Sequence, residues 1–340
     1  MKKLKGIDKI IFFFNSLIAT VLLLSYLLPY VQPKHFAYLS VLSLGVPLLI
    51  ILNVLFALFW FLKSKRQLIV SLFVLILGYS FIFSLYKFSS SKNIEDENNL
   101  SIMNYNVRLF NLYNWLPEGD IEKQIVSLVK EEQPDIICFQ EYFPHDNVDL
   151  SFFKYKYEEL SGQRVKNGQA IFSKYPIIKS GSIDFPNTEN NAIYADVVKG
   201  VDTIRIYNLH LQSSGVNTDV ENLNKENSER LFKRVVKTFK IQQSQAELFV
   251  DHQKKSPYKM IVSGDFNNTS YSYVYRKIKR NMIDAFEDAG NGFGRTFDFK
   301  YFPVRIDFIL VDESFKVNSF KTYKEKLSDH FPILTKVSLH

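Results

Sequence analysis

The apolar positions of this chain fall into two regimes. Residues 10–30, 36–62 and 68–86 contain no charged side chain. Each run is close to the ~20 residues a helix needs to cross a bilayer, so three transmembrane helices are predicted. Beyond residue 100 the pattern changes to short alternating and amphipathic segments. Residues 100–107 read as a strand. Ile121, Ile125, Leu128 and Val129 repeat at helical spacing behind Asp120 as a candidate N-cap, and Gln133-Pro134-Asp135 ends that helix. The fully apolar run 136–139 reads as a buried strand with Gln140-Glu141 at its end. Further strands are predicted over 169–173, 192–198, 203–210, 260–262 and 305–311. A long helix from about 222 to 252 presents Leu231, Phe232, Val235, Val236 and Phe239 on one face and a solvated Lys/Arg-rich face opposite. A short basic helix follows around 273–280. A strand, helix, strand order with a buried second strand points to a layered α/β architecture.

Charge sharpens the division. Residues 1–96 carry ten Lys and Arg against three Asp and Glu, which accounts for the entire formal charge of +7. The remainder balances 32 basic against 32 acidic residues, so it lacks the cationic excess of a strong duplex binder. Lys2, Lys3, Lys5 and Lys9 precede the first apolar run, and Lys63, Lys65 and Arg66 separate the second from the third. Only Lys34 lies between the first and second. By the positive-inside rule the amino terminus is cytoplasmic and the polar domain lies outside the cytoplasm. Cleavage of the first run as a signal peptide would leave two spans and could reverse that orientation. The spans hold no ionisable side chain, which argues for an anchor over a transport path. Residues 1–88 thus read as a membrane region, 89–99 as a polar linker and 100–340 as one globular domain. The single Cys138 sits in an apolar strand, where a core role is the natural reading.

Polar groups recur where these strands end: Asn106, Glu141, His210, Asp265 with Asn267, Asp307, and Asp329 with His330. Each has an ordinary explanation alone, as a turn residue, a cap or a surface carboxylate. Together they are hard oxygen donors and imidazoles suited to a divalent-metal centre that cleaves phosphoesters. The chain has no glycine-rich phosphate loop, no zinc-type Cys/His spacing and no Gly-x-Ser-x-Gly turn.

Seven motifs in order carry a resemblance. They are Tyr105-Asn106-Val107-Arg108, Pro134-Asp135 to Gln140-Glu141, Gly168 to Pro176, Asn208-Leu209-His210-Leu211, Gly264-Asp265-Phe266-Asn267, Arg305-Ile306-Asp307-Phe308-Ile309 and Ser328-Asp329-His330-Phe331-Pro332. Residues 100–340 resemble the endonuclease/exonuclease/phosphatase superfamily. The resemblance implies a four-layer α/β sandwich of two packed mixed sheets under outer helices. It implies Mg²⁺ or Mn²⁺, one or two ions, held by Glu141 with Asn106 and Asp329. Asp265 would orient the attacking water, Asn267 would hold the phosphate, and Asp307 would orient His330 toward a phosphoryl oxygen. His210 would assist the leaving group, with Arg108 and Asn208 as further phosphate contacts. The implied partner is a phosphoester, nucleic acid or a lipid head group, with no obligate protein partner. Tyr271, Tyr273 and Tyr275 with Lys277, Lys279 and Arg280 are either a packed helix face or a nucleic-acid contact. The reading from another class is a non-catalytic, membrane-tethered binding module on the same fold.

Overall fold

The computed structural model describes residues 4–88, 93–117, 119–215, 228–300 and 302–339. Two six-stranded mixed sheets form the polar domain. The first has the order β10 (Ile283–Asp284), β12 (Asp307–Val311), β9 (Lys259–Asp265), β8 (Asp202–His210), β7 (Asn191–Lys199), β6 (Ile177–Asp184). The second runs β13 (Phe315–Thr322), β14 (Ile333–Leu339), β2 (Leu100–Asn106), β3 (Ile136–Tyr142), β5 (Asn167–Ser173), β4 (Tyr155–Ser161). Each sheet has a parallel pair at its centre, β8 with β9 and β2 with β3, and antiparallel neighbours outside it. Both parallel pairs are joined by a crossover helix, α6 (Ile121–Glu132) for β2–β3 and α7 (Ser228–Gln253) for β8–β9. The two halves therefore share a βαβ plan that leaves no repeat in the sequence.

Side-chain alternation sorts three layers of core. Inward positions such as Ile102, Cys138, Ile204, Ile206, Ile261 and Ile309 meet between the sheets. Outward positions of the second sheet, including Met103, Tyr105, Ile137 and Phe139, pack on Ile121, Ile125 and Val129 of α6. Those of the first, including Tyr207, Leu209, Val262 and Phe308, pack on Ala246, Phe249 and Val250 of α7. Burial pushes the Cys138 thiol up to about 12, which makes it an inert core group.

One sequence expectation is corrected, one lies partly outside the described residues, and one gains its partner. Asp120 occupies the N-cap position in a left-handed conformation (φ 56°), and its carboxylate pairs with Lys123 at 3.0 Å instead of capping the helix. The long helix is described only from Ser228, so positions 222–227 lie outside the described residues. Its apolar face near Val235, Val236 and Phe239 does not join the domain core. It receives Ala37 and Val41 of α2 (Pro33–Val41), while Phe232 stays 39% exposed beside Tyr38.

The apolar first quarter comprises α1 (Gly6–Ser25), α2, α3 (Val46–Leu62), α4 (Leu68–Leu77) and α5 (Tyr79–Leu85). Two stretches, Gly6–Tyr30 and Pro33–Leu62, are long and apolar enough to cross a membrane. The third predicted span is a pair, α4 and α5, bent by 78° at Gly78. Asn15 links three helices, donating to Ser71 Oγ at 2.6 Å and accepting from Trp60 Nε1 at 2.8 Å. Asp8 pairs with Lys63 at 2.5 Å, so the start of α1 and the end of α3 share one side. The other side abuts the polar domain. Tyr271 Oη donates to Phe81 O at 3.1 Å, Arg276 lies 3.8 Å over the Tyr30 ring, and Lys34 pairs with Glu247.

Candidate active site

Strand register builds the site row by row. In the first sheet Val311, Ile261 and Ile206 form one cross-strand row, Ile309, Ser263 and Asn208 the next, and Asp307, Asp265 and His210 the last. The second sheet follows the same gradient: Ile102, then Asn104, then Asn106 beside Gln140. The inter-sheet space thus passes from hydrocarbon, through neutral polar groups, to titratable groups at the rim where the parallel strands end.

The middle layer holds the sheets together. Gln140 Nε2 donates to Asn104 Oδ1 at 2.9 Å and to Asn208 Oδ1 at 2.6 Å. Ser263 Oγ donates to Asn104 Oδ1 at 2.8 Å. Asn208 Nδ2 donates to the carbonyls of Phe139 and Ala170 at 2.8 and 3.2 Å. Asn208 is fully buried and both its amide protons go to backbone, so the structure gives it no donor for a phosphate. Asn104, Gln140 and Ser263 were not singled out in the sequence, although period-two alternation from Ile102 and Ile261 leads directly to them.

At the rim, backbone irregularities aim the side chains. Glu141 sits at a register break in β3 with φ 49°, a bulge that turns its carboxylate toward His210. Asn267 (φ 48°) lies past the end of β9, so it meets Asp265 through a left-handed turn and not through the strand pleat. Its backbone N–H donates to Asp265 Oδ1 at 2.8 Å and its Nδ2 to Oδ2 at 3.1 Å. Gly264 (φ +150°) permits the close crossing of β8: a Cβ there would stand 2.1 Å from the Leu209 carbonyl oxygen. Thr296 Oγ1 accepts from the Ile306 and Asp307 N–H groups, both at 3.0 Å, and fixes the start of β12.

These devices bring the predicted residues to one place. Asn106 Nδ2 bridges Glu141 Oε1 at 3.2 Å and Asp265 Oδ2 at 3.0 Å, while its Oδ1 accepts from Arg108 N–H. His330 Nδ1 hydrogen-bonds Asp307 Oδ2 at 2.9 Å, and its Nε2 lies 3.6 Å from Asp265 Oδ2. His210 Nε2 lies 3.8 Å from both Glu141 Oε1 and Asp265 Oδ2, and among the described residues this buried nitrogen has no hydrogen-bond partner. Arg108 pairs with Asp329 at 3.0 Å and stacks 4.4 Å over Trp115. Asp329 therefore stands one step back from the cluster, engaged by Arg108 and by Ser328 Oγ at 3.2 Å. Tyr271, Tyr273 and Tyr275 are all buried, so they form the packed helix face and are not open to nucleic acid.

Electrostatics separate the roles. Burial pushes the Asp265 carboxyl up to about 6, opposed by His330 and reinforced by Asp307. Glu141 is also raised, by burial first, although 36% of its side chain reaches solvent. Burial opposes charge on His330, but Asp307 and then Asp265 outweigh it and hold the imidazole well above its ordinary value. Burial depresses His210, which is therefore the neutral histidine of the pair. Asp265, Asp307 and His330 offer ligand atoms within 4.8 Å of one another. Among those three, Asp307 Oδ2 and His330 Nδ1 already satisfy each other. Glu141 and Asp265, bridged by Asn106, add hard oxygen donors of the kind a divalent ion takes.

A two-sheet α/β sandwich with acids and imidazoles gathered at the strand ends defines a hydrolase-type domain. The model of the endonuclease/exonuclease/phosphatase family matches residues 103–330, and the chain belongs to that family. Residues 8–85 match a family described as a domain of unknown function. No curated protein matches the chain. Among solved structures, an endonuclease/exonuclease/phosphatase from Bacteroides vulgatus is similar at 20% identity and TM-score 0.56, covering 72% of this chain and all of that one. The Bacteroides thetaiotaomicron mannosyl-6-phosphatase is similar at 19% identity and TM-score 0.51, over 71% of this chain and 100% of its own. D. rerio TDP2 complexed with a single-strand DNA product is similar at 17% identity and TM-score 0.52, over 72% and 100%. At these identities the likeness is one of fold.

Proposed function

We propose that this chain is a membrane-anchored, divalent-metal-dependent hydrolase that cleaves phosphodiesters by in-line attack of water. One observation carries the reading: the unpartnered His210 Nε2 faces Glu141 and Asp265, beside an Asp307–His330 pair, inside one buried rim. Glu141 supplies the carboxylate for Mg²⁺ or Mn²⁺, and Asn106 holds that carboxylate beside Asp265. A cation held there would offset charge on the phosphoryl oxygens. Asp265, with its raised carboxyl, accepts a proton from the attacking water near neutral pH. Asn267 Nδ2, shared between Asp265 Oδ2 and the Leu211 carbonyl, holds the Asp265 carboxylate in place, and contact with the phosphate requires it to give up one of those two bonds. His330, kept protonated and aligned by Asp307, donates to a phosphoryl oxygen. Neutral His210 serves the leaving oxygen, and Arg108 guards the mouth of the site.

The anchor is supported by the two long apolar stretches, and an extracytoplasmic domain by the lysines at positions 2–9 and 63–65. We divide the chain into a membrane region to residue 88, a linker over 89–99 and the catalytic domain from 100. The test uses the full chain in detergent with bis-p-nitrophenyl phosphate, and p-nitrophenyl phosphate beside it to compare diester with monoester. Mg²⁺- or Mn²⁺-dependent release that falls on the order of 10²-fold or more in Asp265→Asn and His330→Ala is expected. Wild-type rates in both variants overturn the assignment. Metal stabilisation without turnover of any phosphoester supports the binding-module reading instead.

A further inference from the structure

A cavity of about 830 Å³ lies along residues 291–303 and 320–324, and its lining reaches Phe331, the residue after His330. Its walls include Phe293, Phe302 and Phe320. Four cations line it, and they divide into two kinds. Arg295 pairs with Asp298, and Lys321 pairs with Glu132 at 2.5 Å. Lys300 and Lys324 are exposed, and neither ammonium group has an ion pair among the described residues. Two features relate the cavity to the apolar quarter of the chain. Phe302 and Pro303 also close a smaller cavity with Pro47, Ser84 and Leu85. Phe293 pairs with Tyr86 in the two-stranded ribbon of β1 (Tyr86–Lys87) and β11 (Gly292–Phe293), directly after α5.

We propose that this cavity holds one membrane phospholipid, its phosphate at Lys300 and Lys324 and its acyl portion along Phe293, Phe302 and Phe320. A volume of this size takes the head group and the adjoining part of the acyl chains, the remainder staying in the bilayer. Free phosphate makes no use of the aromatic wall. A nucleic acid is disfavoured by the neutral domain, whose 32 basic residues are matched by 32 acidic ones. The bound lipid would seat the domain edge on the leaflet from which α3 and α5 emerge. The proposal rests on the membrane-anchored reading and is independent of the catalytic one.

The test titrates delipidated full chain in neutral detergent with dioleoyl phosphatidylglycerol and counts bound lipid by native mass spectrometry. Lipids held around the helices are common to all variants, so the difference between variants reads the cavity. One tight site is expected in the wild type, weakened on the order of tenfold in Lys300→Glu/Lys324→Glu. Lys300→Gln/Lys324→Gln changes only exposed side chains and gives a smaller loss of the same sign, which covers a charge reversal that misfolds. Phe302→Ala weakens the lipid without creating phosphate binding. Asp265→Asn leaves lipid binding intact, which separates this proposal from the hydrolase reading. Release of the chain from membranes by alkaline carbonate would sink the anchor while leaving the titration interpretable. Equal affinity in wild type and lysine variants overturns the site, as does displacement of the lipid by inorganic phosphate or an oligonucleotide.

Discussion

Asn208→Leu distinguishes bracing from phosphate binding at a single position. The side chain is fully buried between the sheets, and leucine has similar bulk, so cavity effects are small. The substitution removes donors from the carbonyls of Phe139 and Ala170 and the acceptor of one Gln140 amide proton. Gln140 keeps its bond to Asn104 but loses the partner of its other amide proton, so the two carbonyls set a lower bound on the cost. A buried acceptor left bare costs about 1–3 kcal/mol, which gives about 2–6 kcal/mol for the pair. For a domain of this size each kcal/mol lowers Tm by roughly 2–4 °C. A fall on the order of 5–20 °C is expected in thermal unfolding of the full chain, with KM for a soluble phosphodiester little changed below the transition. An unchanged Tm together with a raised KM would refute the bracing argument and restore Asn208 as a phosphate contact.

Further outcomes follow from the same geometry. Saturating Mg²⁺ or Mn²⁺ raises the Tm of the wild type but not of Glu141→Ala, since only a native site gains stability from its ligand; differential scanning fluorimetry reads both. Asp307→Asn removes the largest interaction raising the His330 imidazole, so the alkaline limb of the rate–pH profile moves to lower pH. In metal-free protein the raised Asp265 carboxyl favours its protonated form in the fold. Its stabilising contribution is therefore complete below about pH 4 and is lost as pH rises through about 6, a slope that Asp265→Asn abolishes in pH-dependent melts. Gly264→Ala forces a positive φ and a contact with Leu209; a loss of at least about 1–3 kcal/mol, seen as a lower Tm, comes with reduced turnover because Asp265 is the next residue.

Much of this was written in hydrophobic spacing. Apolar runs marked β3 and β9 as buried strands and alternation marked β8, and the polar groups ending the three led to Glu141, Asp265 and His210. What spacing could not carry were the departures from regular backbone. The bulge that aims Glu141 and the left-handed turn at Asn267 depend on φ values that no periodic template encodes. The partners of an apolar face were equally hidden. Val235, Val236 and Phe239 read as one apolar helix face, and only the assembled chain reveals that α2 covers them. The role of Asn208 was lost for a related reason. A polar residue beside a candidate histidine looks like chemistry until its two carbonyl acceptors are visible.

The contact of Tyr271 with the apolar helices has a practical corollary. Its ring is 3% exposed, clustered with Ala19, Leu22 and Val46, four residues beyond Asn267 on the loop that leaves the reacting centre. A truncated protein starting in the linker would bare that ring together with Val235, Val236 and Phe239, creating a sticky face beside the site it was meant to isolate. Handling the chain whole, in a micelle, keeps that seam closed.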